Sequence, residues 1–573
     1  MDHIPMPIDS IAHPPWQVPI LLPKRWTYDD QGFLTFPERV GVDVSRLLQK
    51  DCSHLLLEDL APFLQEWLWF GLLKETLGTT SRVQIPRTAF IIEREDGIEI
   101  ITTAELRRYI LLASIENHFD DSDLTMYESC VGRALEIVNG ILSRWPYTPD
   151  FAPSSVHLIL FSIQILCETL LTSREVLFPG YRLQLTPMSS FGSQVTHMVD
   201  SVLLRASWCW SEIQGLPKQN VLRYYLSYMN RSSNQHNHSD CSREGCVFPS
   251  IPDHALRPVH TSEDCLCEDT TIYDDIIELT GQGIVPLLLF SEQSGGQRQL
   301  TVLKHSLSEA PNFIAFSHVR HLGLGSSTSN TLPYCQLSRL QTLAGTMPFW
   351  IDTMCVPLPK KARKVALLSA PHIFAAATAV LVLDPCLHRH AVGSATEALL
   401  RIKYSIWAKR LWTIQEGALA NNLRFQFFNG VRSLDDMLSE YEKDRALDIL
   451  HLLPYRPAAA DGDSRVDKLM QMQARLNSDM LAAERTLAHI GKAERRFDRL
   501  RLRTVLRWGY LASQKLYWMV DEGEAWRLRA VTDVLEQVYA AGNAGESDTD
   551  MLLERLRFIS AIDLKFKDDV AGF

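Results

Sequence analysis

Glu416, a carboxylate among large apolar side chains, is a candidate catalytic residue in this sequence. In the segment RLWTIQEG, Glu416 follows Trp412 by four residues. On a helix this spacing places both side chains on one face, one turn apart. A carboxylate beside an indole is partly desolvated, which prepares it for proton transfer or for stabilising an oxocarbenium ion. The alternative is an ordinary helix carboxylate paired with Arg410 or Lys409.

Polar side chains also stand at the ends of three short apolar runs. Ser317 and His318 end FIAFSH, Asp352 follows PFWI, and Asp384 follows AVLVL. Ligands of open α/β sheets bind beyond the carboxyl ends of the strands, although strand ends are also often polar simply because they meet solvent. Cys355, close behind Asp352, is either a nucleophile or a small buried packing residue. The candidate catalytic residues are Glu416, Trp412 and Asp352, and the candidate pocket residues are Ser317, His318, Asp384 and Arg410.

Cysteine and histidine concentrate in the segment 236–270. The candidate zinc ligands there are Cys241, Cys246, His254, His260, Cys265 and Cys267. Thiolate and imidazole are zinc ligands, and four such donors complete a tetrahedral structural site. The spacing, C-x4-C and then C-x-C, is irregular, so free cysteines in a surface loop are the alternative. A zinc ion here would be structural, because it would clip a loop with little core of its own.

Apolar runs alternate with helical patterns from residue 271 onward. The predicted strands are NFIAFSHV, MPFWIDTM, TAVLVLD and NLRFQFF. The predicted helices are LPYCQLSRLQTL, KKARKVALLSAPHIFAA and ATEALLRIKYSIWAKRLWTIQEGALA. Near-continuous apolar strands separated by helices indicate a parallel sheet covered on both faces. We therefore place an α/β core at 271–432.

The flanking regions have other patterns. An irregular, proline-rich arm is predicted at 1–50, and apolar side chains at helical spacing predict a mainly helical region at 51–235. A linker is predicted at 433–464, followed by a helical C-terminal region at 465–573.

Composition narrows the classes of function. The 573 residues are 46% hydrophobic and 22% charged, as in soluble globular proteins. The net charge is -11, whereas a nucleic-acid-binding protein would carry a basic surface, so the charge gives no support to nucleic-acid binding. The apolar stretches VHLILFSIQILCETLL and VALLSAPHIFAAATAVLVL contain polar residues or proline, so we expect buried core and no membrane span. Eleven cysteines, mostly scattered, favour a reduced, cytoplasmic protein.

Four segments together resemble the motifs of the fungal heterokaryon-incompatibility (HET) domain. They are FIAFSHV, PFWIDTMCVP, AVLVLD and WAKRLWTIQEGALA, and their order and spacing agree with the family over 311–430. The family usually has Trp where this chain has Arg320. The resemblance implies a role in programmed cell death when incompatible fungal cells fuse, through protein partners or self-association of the HET domain.

HET domains are distantly similar to TIR domains, which have a flavodoxin-like α/β fold. Some TIR domains cleave NAD with a Glu that follows a Trp on a helix, and WTIQE resembles that arrangement, with Glu416 in the matching place. The resemblance therefore implies a TIR/flavodoxin-like parallel sheet flanked by mainly helical N- and C-terminal regions. It leaves three functions open: a signalling module that acts by assembly, an NAD glycohydrolase that uses Glu416, and an inactive copy that serves only as a scaffold.

Overall fold

The structure, a computed structural model, describes most of the chain before residue 446. The described residues are 1–8, 10, 16–21, 26–47, 57–79, 83–115, 121–143, 153–178, 196–217, 219–231, 241, 257–292, 298–307, 309–320, 323–326, 328–409, 413, 416–417 and 419–445. Outside them lie the predicted C-terminal helices at 465–573 and four candidate site residues, Cys246, His254, Arg410 and Trp412. Up to Tyr441 the described residues form two compact units, one within Met1–Cys246 and the other within Val247–Tyr441.

The first unit is mainly helical, in agreement with the pattern over 51–235. Its α-helices are α1 (Phe36–Arg39), α2 (Val44–Leu47), α3 (Leu57–Leu64), α4 (Leu106–Ile115), α5 (Asp121–Leu142), α6 (Ser155–Leu177), α7 (Thr196–Arg205), α8 (Trp210–Gln214) and α9 (Asn220–Tyr228). Two π-helices, Gln65–Gly71 and Lys74–Thr79, follow α3, and a 3-10 helix spans Arg87–Phe90. A small antiparallel sheet, which the sequence did not predict, contains β1 (Val18–Pro19), β2 (Ile91–Glu93) and β3 (Glu99–Ile101).

The described residues of the N-terminal arm at 1–50 have a mostly irregular backbone with three short elements. It contains α1, α2 and β1, and its aromatic side chains are part of the core of the helical unit. Trp67 Nε1 donates a 2.9 Å hydrogen bond to the carbonyl oxygen of Phe33. Phe36 stacks on Phe63 with 6.1 Å between the ring centroids. Burial of these large rings anchors the described part of the arm in the core of the helical unit, which local proline content does not indicate.

Helix α6 contains the long apolar stretch that the sequence assigns to the core. Among the described residues, α6 is the one helix whose length and apolar composition would suffice to cross a membrane. Its mean hydropathy over Ser155–Arg174 is 1.6. That window is 78% buried inside the protein. Core helices of soluble proteins share this length and composition, so the burial agrees with the predicted core role.

The second unit is an α/β unit built on a seven-stranded sheet. Its elements are β4 (Asp269–Thr271), α10 (Tyr273–Gly281), β5 (Val285–Glu292), β6 (Arg298–His305), β7 (Ile314–His318), β8 (Thr331–Pro333), α11 (Tyr334–Ala344), β9 (Phe349–Ile351), α12 (Asp352–Cys355), α13 (Lys360–Ala376), β10 (Ala379–Leu383), α14 (Pro385–His388), α15 (Ala395–Lys403), β11 (Leu423–Phe427), β12 (Gly430–Ser433) and α16 (Leu434–Arg445). The strand order of the large sheet is β12-β11-β10-β7-β9-β5-β6, and β4 and β8 form a separate ladder. Helix α16 occupies the start of the predicted linker.

The sheet is mixed, whereas the sequence predicts a parallel one. The four predicted strands are β7, β9, β10 and β11, and they run parallel in the middle of the sheet. At the outer positions β12 is antiparallel to β11, and β5 is antiparallel to both β6 and β9. Short connections between β5 and β6 and between β11 and β12 permit only antiparallel pairing. The parallel prediction therefore applies to the middle of the sheet and is wrong for its outer strands.

Candidate functional site

The carboxyl ends of three neighbouring parallel strands bring the predicted polar residues to one edge of the sheet. His318 lies opposite Leu383 in the ladder of β7 and β10, and Phe316 lies opposite Ile351 in the ladder of β7 and β9. The predicted residues at this carboxyl edge are Ser317, His318, Asp352 and Asp384. Successive side chains of a strand point to opposite faces, so this edge carries two groups of residues rather than one pocket.

On one face, Glu416 is tied to the end of β7 through Ser317. Ser317 Oγ donates to Glu416 Oε2 at 2.5 Å and accepts from Trp407 Nε1 at 2.7 Å. An indole N–H can only donate, so the serine proton points to Glu416, whose Oε2 accepts it. Ser317 and Trp407 are fully buried, while Glu416 is half-buried. Glu416 is therefore the least buried of these three residues.

Trp407 is the indole that the structure connects with Glu416, whereas Trp412 lies outside the described residues. The Trp407 ring packs edge-on against Phe425 with 5.3 Å between the centroids. A Cβ at Gly417 would lie only 2.6 Å from the same ring, so glycine permits this close approach. Helical spacing to Glu416 favoured Trp412 and gave no reason to choose Trp407.

Asp384 explains why the helix predicted over 395–420 is interrupted. Its side chain is fully buried and accepts from the Cys386 N–H at 2.7 Å and from the Trp407 N–H at 2.9 Å. Helix α15 ends at Lys403, and a short 3-10 helix begins at Trp407. Hydrogen bonds from backbone N–H groups to a buried carboxylate are strong, so Asp384 fixes the backbone at Trp407.

His318 points to the other face, where Asp352 is held between two side chains. His318 Nε2 lies 2.7 Å from Asp352 Oδ1, and Arg320 Nε donates to Oδ2 at 3.1 Å. Burial alone would raise the pKa of Asp352, but the neighbouring His318 and Arg320 outweigh it and hold the pKa well below 3.8. Asp352 is thus an ionised carboxylate with both oxygens engaged, which favours an orienting role over proton transfer.

Arg320 opens the loop that follows β7, and two glycines shape that loop. The Gly325 N–H donates to the Arg320 carbonyl at 2.9 Å, and a Cβ at Gly325 would lie 2.3 Å from that oxygen. Gly323 has a φ of +100°, and a Cβ there would lie 2.5 Å from the Val259 side chain. Both positions require glycine, for close approach or for positive φ. Arg320 is therefore anchored at the same edge as Asp352.

Cys355 has the environment of a packing residue. It is 2% exposed, and its Sγ lies 3.5 Å from the carbonyl oxygen of Pro286. Burial raises the pKa of this thiol to about 12. A nucleophilic cysteine needs accessible thiolate, so the structure favours the packing role.

A separate cluster of metal-ligand types lies in the same unit. Among the described residues, the ligand atoms of four side chains lie within 4.8 Å of one another: His260, Cys265, Cys267 and Cys335. Three of them are predicted ligands. The fourth, Cys335, is not a predicted ligand, and the strand ladder described below brings it next to Cys267; the predicted ligand Cys241 is not part of this cluster. Two further predicted ligands, Cys246 and His254, lie outside the described residues.

Comparisons of the chain with protein-family models, with curated proteins and with solved structures found no match. Function is therefore inferred from the motif resemblance and from the geometry at the carboxyl edge of the sheet. Two features of this edge bear on function, the network from Trp407 through Ser317 to Glu416 and the clamp on Asp352.

Proposed function

We propose that this chain is a HET-type signalling protein of fungal cell death, and that it acts through the carboxyl edge of its α/β unit. The observation that carries the proposal is the hydrogen bond between Ser317 and Glu416. It joins two segments that resemble HET motifs, FIAFSHV and WAKRLWTIQEGALA, across a sequence separation of 99 residues. Motif residues that converge on one bonded group are expected where that group carries the function.

Glu416 is placed to meet a partner or a ligand. Ser317, itself held by Trp407, fixes one carboxylate oxygen, while the residue remains partly exposed. Groups held in position before binding lose little freedom on binding, which favours affinity and specificity. Protein partners or a second copy of the α/β unit would be recognised at this edge, where α/β folds commonly bind ligands.

Induced expression of the full chain in a fungal host tests the proposal. We expect the wild-type chain to kill cells, and Glu416→Gln and Ser317→Ala to abolish killing at equal protein level. Glutamine preserves the size of the side chain and removes its charge. Asp436→Asn, an exposed carboxylate on α16, is the matched control and should retain full toxicity. Full toxicity of Glu416→Gln would exclude a role for this carboxylate.

NAD cleavage at the same carboxylate is a second candidate function. It is favoured by the direction of the hydrogen bonds from Trp407 through Ser317, which keeps Glu416 Oε2 an acceptor. An ionised carboxylate can accept bonds from ribose hydroxyls and stabilise an oxocarbenium ion. In this reaction the bond from ribose to nicotinamide breaks and water adds to the ribose carbon, giving nicotinamide and ADP-ribose.

The NAD content of the same cells separates the two candidate functions. A fall in NAD with the wild-type chain, absent from Glu416→Gln and Ser317→Ala, supports an NAD glycohydrolase. Unchanged NAD in dying cells supports action through protein contacts alone. A chain that neither kills cells nor lowers NAD is an inactive copy, and both proposals then fail.

A further inference from the structure

The geometry points to a structural zinc site formed by His260, Cys265, Cys267 and Cys335. His260 Nδ1 lies 3.4 Å from Cys267 Sγ and 3.6 Å from Cys335 Sγ. In a tetrahedral site with Zn–S near 2.3 Å and Zn–N near 2.0 Å, nitrogen and sulfur ligands lie about 3.5 Å apart. The observed separations match this value. Three cysteines and one histidine are a common ligand set of closed structural zinc sites.

The ladder of β4 and β8 brings distant ligands together. The two strands are antiparallel, with Asp269 opposite Pro333. Cys267 lies just before β4 and Cys335 just after β8, so the register places them side by side although 68 residues separate them. Because strand pairing holds the two cysteines together, their proximity is part of the fold and is not a chance approach of surface residues.

Backbone N–H groups are directed at two of the sulfur atoms. The Cys335 N–H donates to Cys267 Sγ at 3.3 Å, and the Thr261 N–H donates to Cys335 Sγ at 3.4 Å. Hydrogen bonds of this kind orient metal ligands and stabilise the thiolate form that binds the metal. Cys335 is also the second residue of α11, whose N-terminus favours a negatively charged sulfur.

The imidazole distinguishes a metal site from a disulfide. A disulfide would use two of the three thiols and would give His260 no role. His260 instead presents Nδ1 to two sulfur atoms, as a metal ligand does. The three cysteines of the cluster are free thiols. A single zinc ion would engage all four side chains at once.

The site would fasten the segment 257–268 to the α/β unit. This segment offers little apolar core, and Leu266 is 94% exposed. Gln336 Nε2 donates to the Val259 carbonyl at 2.7 Å, and the Val259 N–H donates to the Gly323 carbonyl at 2.9 Å. The fastened segment thereby supports the loop after β7, which carries the arginine of the Asp352 clamp. This inference is independent of the proposed function.

Metal analysis of the purified full chain tests the site. We expect one zinc ion per chain, and Cys335→Ser should lower bound zinc at least about tenfold because a ligand is lost. Cys241→Ser is the control, because Cys241 belongs to the cysteine-rich segment 236–270 but is outside the four-ligand group. This variant should retain full zinc. Retention of zinc in Cys335→Ser together with its loss from Cys241→Ser would overturn the ligand set.

Cobalt reconstitution of the wild-type chain makes the test independent of the folding of variants. After zinc removal under reducing conditions, Co(II) in a tetrahedral site with three thiolates should give intense visible bands and sulfur-to-metal charge transfer in the near ultraviolet. Weak visible bands without charge transfer would overturn the proposal. A chain that binds neither zinc nor cobalt under these conditions would overturn it as well.

Discussion

Glu168 in the helical unit and the carboxylates Asp352 and Glu416 in the α/β unit are held by different kinds of hydrogen-bond donor. In the helical unit, Glu168 on α6 is 1% exposed and accepts from the Asn220 N–H, the Asn220 amide and the Val221 N–H at 2.9–3.0 Å. These bonds satisfy backbone donors at the start of α9, so Glu168 acts as a helix cap. At the carboxyl edge of the sheet, Asp352 and Glu416 accept from side chains and stay partly exposed.

The type of donor decides what a carboxylate can do. Burial raises the pKa of Glu168 to about 7, and its backbone and amide donors only partly offset that effect. His318 and Arg320 instead lower the pKa of Asp352 against the effect of burial. Backbone donors cannot leave without unfolding a helix, whereas side-chain donors can rearrange around a ligand. Glu168 is therefore fixed in a structural role, whereas the side chains around Asp352 leave it able to change partners.

The largest expected effect is the loss of stability on removing the Glu168 carboxylate. Glu168→Ala leaves three buried N–H donors without this acceptor, at about 1–3 kcal/mol each, so we expect a loss of about 3–5 kcal/mol. Urea unfolding of the full chain measures it. The control Glu136→Ala, on the exposed side of α5, should change stability by less than about 0.5 kcal/mol. A loss below about 1 kcal/mol for Glu168→Ala would remove the contrast between the units.

The pH dependence of stability also distinguishes Glu168 from Asp352. Its pKa is raised from 4.5 to about 7 on folding, so the folded state binds more protons between these values. The free energy of unfolding should therefore fall as pH rises through this window, by up to about 3 kcal/mol. Glu168→Gln cannot titrate and should lack this slope. Equal slopes for the wild-type chain and Glu168→Gln in urea unfolding at several pH values would contradict the assignment.

Asp352 should show the opposite slope and a smaller effect. Asp352→Asn removes a charge that two side chains bind, and we expect a loss of about 1.5–3 kcal/mol at neutral pH. Because the pKa of Asp352 is lowered from 3.8, its stabilisation is present above that pH and is lost as the pH falls further. The difference in unfolding free energy between wild type and Asp352→Asn should shrink on acidification. A difference that stays constant with pH, or equals that of the exposed control Asp436→Asn, would count against the clamp.

The smallest effect on stability is expected for Glu416→Gln. Its side chain is partly exposed, and the glutamine carbonyl can still accept the Ser317 hydroxyl, so stability should change by less than about 1 kcal/mol. Thermal unfolding of the full chain beside the wild type measures this. A loss above about 3 kcal/mol would place Glu416 with Glu168 as a structural carboxylate, and its loss of killing would then follow from misfolding.

The middle of the sheet is predictable from sequence because each central strand is a near-continuous apolar run. Strands β7, β9, β10 and β11 are of this kind, and so the polar residues at the ends of β7, β9 and β10 were assigned to one edge. The outer strand β6, RQLTVLKH, mixes charged and apolar residues and has no such signature. Its place beside β5 follows from the pairing of the two strands, which the mixed pattern of β6 alone does not indicate.

Residues that act through distant contacts escape local pattern analysis. Trp407 meets Ser317 across 90 residues, and Cys335 meets Cys267 across 68 residues. Helical spacing selected Trp412, and cysteine spacing selected Cys241, because both criteria use only neighbours in sequence. The ladder of β4 and β8 brings Cys335 to Cys267, and the bond from the Trp407 N–H to Asp384 holds Trp407 near the end of β7. Both depend on segments that are far apart in sequence.

The outer strands of the large sheet limit how copies of this protein can associate. Each carries basic side chains paired with carboxylates: Arg298 with Glu292 and Lys304 with Asp275 on β6, and Arg432 with Glu440 on β12. Charges on outer strands oppose edge-to-edge pairing between molecules. Growth of amyloid-like fibrils by strand addition is therefore disfavoured. The self-association proposed above would therefore use helices or loops, and such an assembly would lack the great stability of cross-β stacking and would be reversible.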